Sequence, residues 1–581
     1  MRGEALFAVL LCAVGLVACG RNTGRGRSPS NCRNKTTSTS ASEFPEVQTP
    51  LGRLRGSILQ SLDGKSIFSF RGVRYAQPPV GELRFKSPVP VGPWDGVKNA
   101  TRDGSRCPST QNTNDTSEDC LFLNVYTTKL PHNTRNPQRP VIVFLHPSAY
   151  YVFSGTSDLY GPQYLMDEDI VLVTINYRLG ALGFLSTGDS VLPGNNGLKD
   201  QVMALRWVQQ NIASFGGNPG SVTIAGDSTG AVSAYLHMLS PMSRGLFHKI
   251  IAMSGADLTN GVRNPLQQAR EQARLVNCPD TTSEEIVNCL KGKDALEIAK
   301  TGEYFYDLTR NLTSSFAFVI ERDSGDGGEK FLPADVAEQF LQGNFAHVPV
   351  MTGTTKDELA YIPKEFLRSN VSQNLKENFV SIVLNYVLQE INAPGSNEIA
   401  AELTKFYLND EPITNASGDA LGKFYSDIII NYPVYSTVKI MSQLNTAPVY
   451  YYHFTYQGRY SWTYIPGTQT PDGVSHTDDL LYLFYTSTIF PEFVEADPEY
   501  TTVKRMTKMW ANFVKTGNPT SEKTDLLNVD WQALKPRTPR YLEIGSQLAM
   551  RQGFYQKDRM QLLERLFPVT NISSWTTRRA G

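Results

Sequence analysis

The stretch Ser221-Val-Thr-Ile-Ala-Gly-Asp-Ser-Thr-Gly230 constrains what this chain can fold into more than any other. Val222 to Ala225 is a short β-branched apolar run, which reads as a buried strand. Gly226-Asp-Ser228-Thr-Gly230 follows with G-x-S-x-G spacing, and Ala231 to Ser240 reads as a helix that ends before Pro241. Strand, sharp turn with two glycines, helix is the context of a nucleophile elbow. The turn lifts a serine oxygen off the end of a sheet while the glycines let strand and helix pass closely. Glycine and serine are common in loops, so the bare pattern is weak; its flanking elements make Ser228 a candidate nucleophile.

A serine hydroxyl needs a base, and the base needs an orienting acid. On such an elbow the chain order is Ser, then Asp or Glu, then His. The chain has seven histidines, of which His347, His453 and His476 lie well downstream of the elbow. His453 falls inside the strand-like Val449 to Tyr456, where a packed ring is the ordinary outcome, and His347 immediately precedes the strand-like Val348 to Thr352. His476 stands in the polar loop Gly473-Val-Ser-His-Thr-Asp-Asp479, ahead of an apolar helix from Leu480 to Phe484, and a proton carrier suits a loop. Val348 to Glu358 reads as strand then loop and offers two acids, Asp357 and Glu358.

The chain resembles the type-B carboxylesterase/cholinesterase family of α/β-hydrolases. Matching stretches run from about Pro45 to about Leu566 and include Phe70 to Phe85, Ser117 to Val125, Asn176-Tyr-Arg-Leu-Gly180, Pro193 to Asp200 and Phe215-Gly-Gly-Asn-Pro219. The elbow, Lys356-Asp-Glu358 and Gly473-Val-Ser-His476 complete the set. The resemblance implies an α/β fold: a central, mostly parallel twisted sheet with helices on both faces and a helical cap, drawn from Asn260 to Asn445. It also implies Ser228 as nucleophile, His476 as base and Glu358 as acid, with Asp357 the alternative. Arg84 with Glu118, and Arg178 with Asp200, are implied as buried ion pairs. The wording of Ser157 to Tyr164 and His476 to Phe484 is similar to arthropod carboxylesterases, including the juvenile-hormone-esterase-like branch. That branch usually carries glutamine at the position of Asp227, and cholinesterases carry a tryptophan in a longer version of the loop from Pro108 to Asp119, which here has no aromatic residue. The hormone is therefore not claimed as substrate, and the missing aromatic residue argues against a cholinesterase.

One departure matters for rate. After the apolar strand Pro140 to His146, the family carries His-Gly-Gly-Gly, whose N–H groups hold the oxyanion. Here the run is His146-Pro-Ser-Ala-Tyr-Tyr151. Pro147 has no N–H, but Ser148, Ala149 and Thr229 keep theirs and are the expected donors. Side chains at positions 148 and 149 resist a positive φ, and loss of one such donor lowers kcat by about 10²–10³-fold.

The 581 residues, 40% of them hydrophobic, can bury a large core. The net charge of −1 and the lack of a basic stripe argue against nucleic acid as a partner. Met1-Arg2 followed by the apolar Leu6 to Cys19 reads as a secretory signal over residues 1–19, too short to span a bilayer. Leu16-Val-Ala-Cys19 also resembles a bacterial lipoprotein box, which would lipidate Cys19. Residues 20–44, rich in Ser, Thr and Arg, read as a disordered tail, and 45–570 as one catalytic domain. No apolar run follows Asn571, so no C-terminal membrane anchor is expected.

Of seven cysteines, Cys12 and Cys19 fall in the signal and Cys32 is left over in the tail. Cys107 with Cys120, and Cys278 with Cys289, each flank a short polar stretch and fit local disulfides in an oxidising compartment; the resemblance implies the same pairing. Seven N-x-S/T sequons stand at Asn34, Asn99, Asn114, Asn311, Asn370, Asn415 and Asn571, expected to carry glycans at several positions. The expectation is a secreted, glycosylated serine esterase acting on small-molecule esters, without metal or cofactor. Its rivals are a non-catalytic binding protein of the same fold and a slow scavenger that is acylated once and barely turned over.

Overall fold

A computed structural model describes residues 44–568, apart from 112, 134, 260, 306–315, 322–327, 369–372, 389–394 and 466. The expected signal, Cys32 and the sequons at Asn34, Asn311, Asn370 and Asn571 lie outside the described residues, as does the expected tail up to residue 43. In chain order the strands are β1 (Glu46–Thr49), β2 (Gly52–Arg55), β3 (Ser57–Gln60), β4 (Ser66–Arg74), β5 (Val97–Asn99), β6 (Phe122–Thr127) and β7 (Arg139–Leu145). There follow β8 (Val171–Ile175), β9 (Gly217–Asp227), β10 (Lys249–Met253), β11 (Val350–Thr355), β12 (Val449–Phe454), β13 (Arg540–Ile544) and β14 (Leu548–Gln552).

Among the described residues β1, β2 and β5 form a small sheet, and the other eleven strands form one large sheet in the order β14-β13-β12-β11-β10-β9-β7-β8-β6-β4-β3. Every pairing from β13 through to β8 is parallel, and the flanking pairs are antiparallel. The parallel strands are apolar on both faces because helices cover both. Alternation sorts their side chains into two layers. Val141, Val143 and Leu145 of β7 join Val222 and Ile224 of β9 in one core, with Ala231 and Ala234 from the helix Thr229–Leu239 and Val202 and Leu205 from the helix Asn196–Asn211. Ile142 and Phe144 of β7 join Ala225 and Ile251 in the other, against Met506, Met509 and Trp510 of the helix Tyr500–Thr516.

Strand order reverses about β7. The chain steps from β7 to β8 on one side, then crosses back to lay β9 on the other and continues outward through β10, β11, β12 and β13. In open sheets of this kind the crevice beyond the carboxyl ends of the strands at such a reversal is where ligands bind. The carboxyl end of β7 leads into Pro147-Ser148-Ala149 and that of β9 into Ser228, so the reversal brings the two stretches side by side.

The ion pairs hold outlying segments to this frame. Arg178 Nε and Nη2 donate to Asp200 at 2.8 and 2.7 Å, both side chains almost completely buried. Arg84 Nε donates to Glu118 at 2.7 Å, and its Nη1 caps the carbonyls of Leu290, Lys291 and Lys293 at the C-terminal end of the helix Ser283–Lys291. The same segments carry the disulfides Cys107–Cys120 and Cys278–Cys289. The expected cap segment holds the helices Pro265–Leu275, Ser283–Lys291, Val336–Gln342 and Tyr361–Arg368 but also β11, so it is threaded through the sheet rather than laid over it. β13 is covered by β14, which pairs with it antiparallel from Arg540↔Gln552 to Ile544↔Leu548. Asn99, Asn114 and Asn415 are exposed.

Candidate active site

The elbow is tight. Ser228 sits between β9 and the helix Thr229–Leu239 with φ 55° and ψ −123°, a backbone region that costs a non-glycine residue about 1–3 kcal/mol. Its N–H donates to the Met253 carbonyl at the end of β10 (2.8 Å), which anchors the turn to the neighbouring strand. The two pattern glycines are required by contact. A Cβ on Gly226 would stand 2.2 Å from the Gly230 carbonyl oxygen, and one on Gly230 would stand 2.1 Å from that of Leu145. Ser228 and Thr229 remain half-exposed where the surrounding strands are buried.

The acid and the imidazole meet across the ends of β10, β11 and the His476 loop. His476 Nδ1 lies 2.5 Å from Glu358 Oε2, and the His476 N–H donates to the Glu358 carbonyl at 2.9 Å. The Glu358 side chain is fully buried and that of His476 is 12% exposed, so the carboxylate is out of water while the ring reaches the surface of the site. The second oxygen, Oε1, accepts from the Thr355 N–H (2.7 Å) and from Ser254 Oγ (2.8 Å). Glu358 has φ 34° and Ser254 φ 50°, both in the left-handed region, so the strands end in strained turns that bring these groups together. Asp357 turns elsewhere: its Oδ2 accepts from the Val474 N–H at 2.8 Å and clamps the base of the His476 loop.

The other histidines named from the sequence are placed elsewhere. His453 is buried and stacked on Tyr555 with centroids 3.4 Å apart, and its protonation is pushed down to about pH 3 by burial. His347 is exposed beside Asn445, outside this cluster. His146 lies flat on Tyr177, centroids 4.4 Å apart, and burial lowers its pKa to about 4.

Directly after Ser148 the chain accepts positive φ at two residues with side chains, Ala149 (43°) and Tyr150 (63°). Ser148 makes this possible by closing the turn on itself. Its Oγ accepts from the Tyr150 N–H at 2.9 Å, and its carbonyl accepts from the N–H groups of Tyr151 (2.8 Å) and Val152 (3.0 Å). The Ser148 N–H donates to Thr229 Oγ1 at 3.1 Å, so one of the three expected oxyanion donors is paired with the side chain of another.

Beneath the elbow lies a cluster of acids. Asp227 is fully buried, and neither carboxylate oxygen has a hydrogen-bond partner among the described residues. Burial first, then repulsion from Asp479 and Glu358, push its pKa well above the usual carboxylate range. Asp479 accepts from Tyr452 OH at 2.8 Å and is pushed up to about 6, chiefly by burial. Asp478 ties the loop together by accepting from Ser475 N–H (2.8 Å), Trp462 N–H (2.9 Å) and Ser461 Oγ (2.7 Å). A carboxyl whose folded pKa is raised favours the native state most below its unfolded pKa near 3.8, and that contribution is lost as pH rises through the folded value. Asp227→Asn is therefore expected to gain thermal stability relative to wild type as the pH is raised from 4 to 8. A melting-temperature difference that does not change with pH contradicts this.

Ser254, Tyr177, Tyr452 and the hydroxyl of Thr229 were not among the expected site residues. Ser254 carries the one legible hint: Met253-Ser-Gly255 ends an apolar run, as Ala225-Gly-Asp-Ser228 does. The rest depend on pairing across strands. Among the described residues no group of three or more His, Cys, Asp or Glu is arranged to hold a metal ion, and no helix is long and apolar enough to cross a membrane.

Comparison with known proteins points to one family. Residues 43–562 match the model of the carboxylesterase family. Esterase FE4 of Myzus persicae is 39% identical over 507 residues, 84% of this chain and 87% of that protein. Juvenile hormone esterase of Tribolium castaneum is 34% identical over 527 residues, 86% and 88% of the two chains. Among solved structures, juvenile hormone esterase from Manduca sexta, with OTFP covalently attached, superposes with a TM-score of 0.81 at 28% identity, covering 91% of this chain and all of that one.

Proposed function

The chain belongs to the carboxylesterase family, with the α/β-hydrolase fold, and is a carboxylic ester hydrolase; from that premise we propose that Ser228, His476 and Glu358 are its catalytic triad. The observation that carries this reading is the buried Glu358 held on one oxygen by Thr355 and Ser254 and bonded through the other to His476. Ser228 Oγ attacks the ester carbonyl carbon, and the carbonyl π pair moves onto oxygen. His476 Nε2 takes the serine proton, with Nδ1–H donating to Glu358, which orients the ring and stabilises the imidazolium. Collapse of the tetrahedral intermediate breaks the bond to the alcohol oxygen, which receives the proton from His476. Water, deprotonated by the same imidazole, then hydrolyses the acyl-serine. Backbone N–H groups of Thr229 and Ala149 are the donors assigned to the developing oxyanion, that of Ser148 being already bonded to Thr229 Oγ1.

The substrates on this reading are small-molecule carboxylic esters. The signal-like N-terminus and the two disulfides support secretion, and the exposed Asn99, Asn114 and Asn415 are suitable glycan acceptors. A slow scavenger is favoured by one observation, the Ser148 N–H already paired with Thr229. Release of 4-nitrophenol from acetate and butyrate esters, followed from the first turnover, separates the two. Steady turnover is the expected result. A single stoichiometric burst followed by arrest identifies the scavenger, and no burst from folded protein ends the catalytic reading.

A further inference from the structure

We infer that the side-chain hydroxyl of Thr229, and not only its backbone N–H, is an oxyanion donor, turned toward the reacting carbonyl by a chain of hydrogen bonds through Ser148. The inference rests on Ser228 being the nucleophile. Thr229 directly follows Ser228, is half-exposed to the site, and has its Oγ1 held at two points: 3.1 Å from the Ser148 N–H and 3.0 Å from Ser148 Oγ. Ser148 Oγ in turn lies 3.0 Å from Tyr177 OH, and Tyr177 OH is 2.8 Å from the His146 carbonyl. The protons can be assigned along this chain. A carbonyl only accepts, so Tyr177 donates to His146; its oxygen is then left to accept from Ser148 Oγ–H. Ser148 Oγ also accepts from the Tyr150 N–H. The proton of Thr229 is left with two directions, back to Ser148 Oγ or outward into the site.

Thr229 Oγ1 holds the place to which the Ser148 N–H points, which is the place of an oxyanion bound by that N–H. A substrate has two ways to proceed. It can displace Oγ1, which breaks the bonds to the Ser148 N–H and Oγ and rotates a β-branched side chain about its stiff χ1. Or the Thr229 proton can turn by rotation about the C–O bond alone, leaving both heavy-atom contacts in place. The second costs least, and a hydroxyl that itself accepts an N–H bond is polarised into a stronger donor. The Thr229 hydroxyl then replaces the backbone donor it has covered, which explains how a loop reading Pro-Ser-Ala can serve where glycines are usual. The Thr229 proton stays on Oγ1 throughout: the group donates to the oxyanion as the Ser228–carbonyl bond forms and returns to Ser148 when the carbonyl is restored.

The test uses the full-length enzyme and the variants Thr229→Val, Thr229→Ala and Thr229→Ser, with melting curves recorded beside kinetics on 4-nitrophenyl acetate. Val keeps the shape without the hydroxyl, Ala removes both, and Ser keeps the hydroxyl. Loss of one oxyanion donor predicts that Val and Ala lower kcat by about 10²-fold with KM little changed. Ser is expected to remain near wild type. A trifluoromethyl ketone, which adds Ser228 to form a tetrahedral oxyanion, is expected to lose affinity in Val and Ala by the same factor as kcat/KM, a readout that a packing role does not move. Turnover in Val or Ala equal to or faster than wild type overturns the inference, as does an unchanged ketone affinity, and identifies the hydroxyl as a bystander or a plug. Should Val fail to fold, the contrast of Ala with Ser decides the same question. Ser228→Ala run alongside separates the levels: activity retained there fails the triad itself, whereas its loss with an unaffected Thr229→Ala fails only this inference.

Discussion

Ser228→Ala is expected to abolish ester hydrolysis, lowering kcat on 4-nitrophenyl acetate by about 10⁶-fold while leaving the fold intact. The size follows from the coupling of the groups. On the proposed triad His476 accepts a proton only as Ser228 attacks the carbonyl, and Glu358 acts only through His476, so removal of the nucleophile idles all three. The fold has no need of this hydroxyl. Ser228 is tied in by its backbone N–H to Met253 and by its carbonyl, which receives the Val232 N–H at 3.0 Å, and alanine keeps both bonds. The strain at φ 55° is left in place by alanine but relieved by glycine, so Ser228→Gly is equally inactive and melts higher. A strained, dispensable side chain at the head of a strand is what selection for activity over stability leaves behind. The paired measurement is the hydrolysis rate and the melting curve of wild type and both variants. More than a small residual rate in Ser228→Ala, beyond that of a mock preparation, refutes the assignment.

Much of this site is legible because its local pieces have one-dimensional signatures. Strand, elbow and helix around Ser228 follow from a β-branched run, two glycines and a helix ended by Pro241, and these elements occupy Gly217–Asp227 and Thr229–Leu239. The choice among histidines follows from context: His453 lies in β12, whereas His476 lies in a loop beside Glu358. The two acids of Lys356-Asp-Glu358 could not be separated from spacing. They differ only in where a strained turn points each side chain, and φ 34° at Glu358 is set by strand packing that no local pattern records. β14 escaped notice because Leu548 to Gln552 is half-exposed and mixed in polarity, as an antiparallel edge is. The oxyanion loop was readable as a departure, but not in its outcome. Ser148 and Thr229 are separated by 81 residues, and their contact exists only because β7 and β9 are neighbours on the sheet.

Glu358→Gln is expected to lower kcat by about 10⁴-fold with KM nearly unchanged, whereas Asp357→Asn leaves turnover close to wild type. The two residues are adjacent and equally acidic, so the contrast isolates what the structure assigns to each. Oε1 of Glu358 is saturated by two donors, the Thr355 N–H and Ser254 Oγ, so a glutamine is held with its carbonyl oxygen on that side and its amide nitrogen toward His476. That nitrogen is a donor. It forces His476 Nδ1 to become an acceptor, which places the ring proton on Nε2, the atom that must be free to take the proton of Ser228. The ring keeps its position and the substrate its pocket, so binding survives and the chemical step fails. The negative charge that stabilises the imidazolium on this reading is lost at the same time, at a position buried away from bulk solvent. Asp357→Asn, by contrast, keeps an oxygen acceptor for the Val474 N–H, and the His476 loop stays clamped. Steady-state kinetics of the two variants on one ester decide it: equal losses, or the larger loss in Asp357→Asn, contradict Glu358 as the orienting acid.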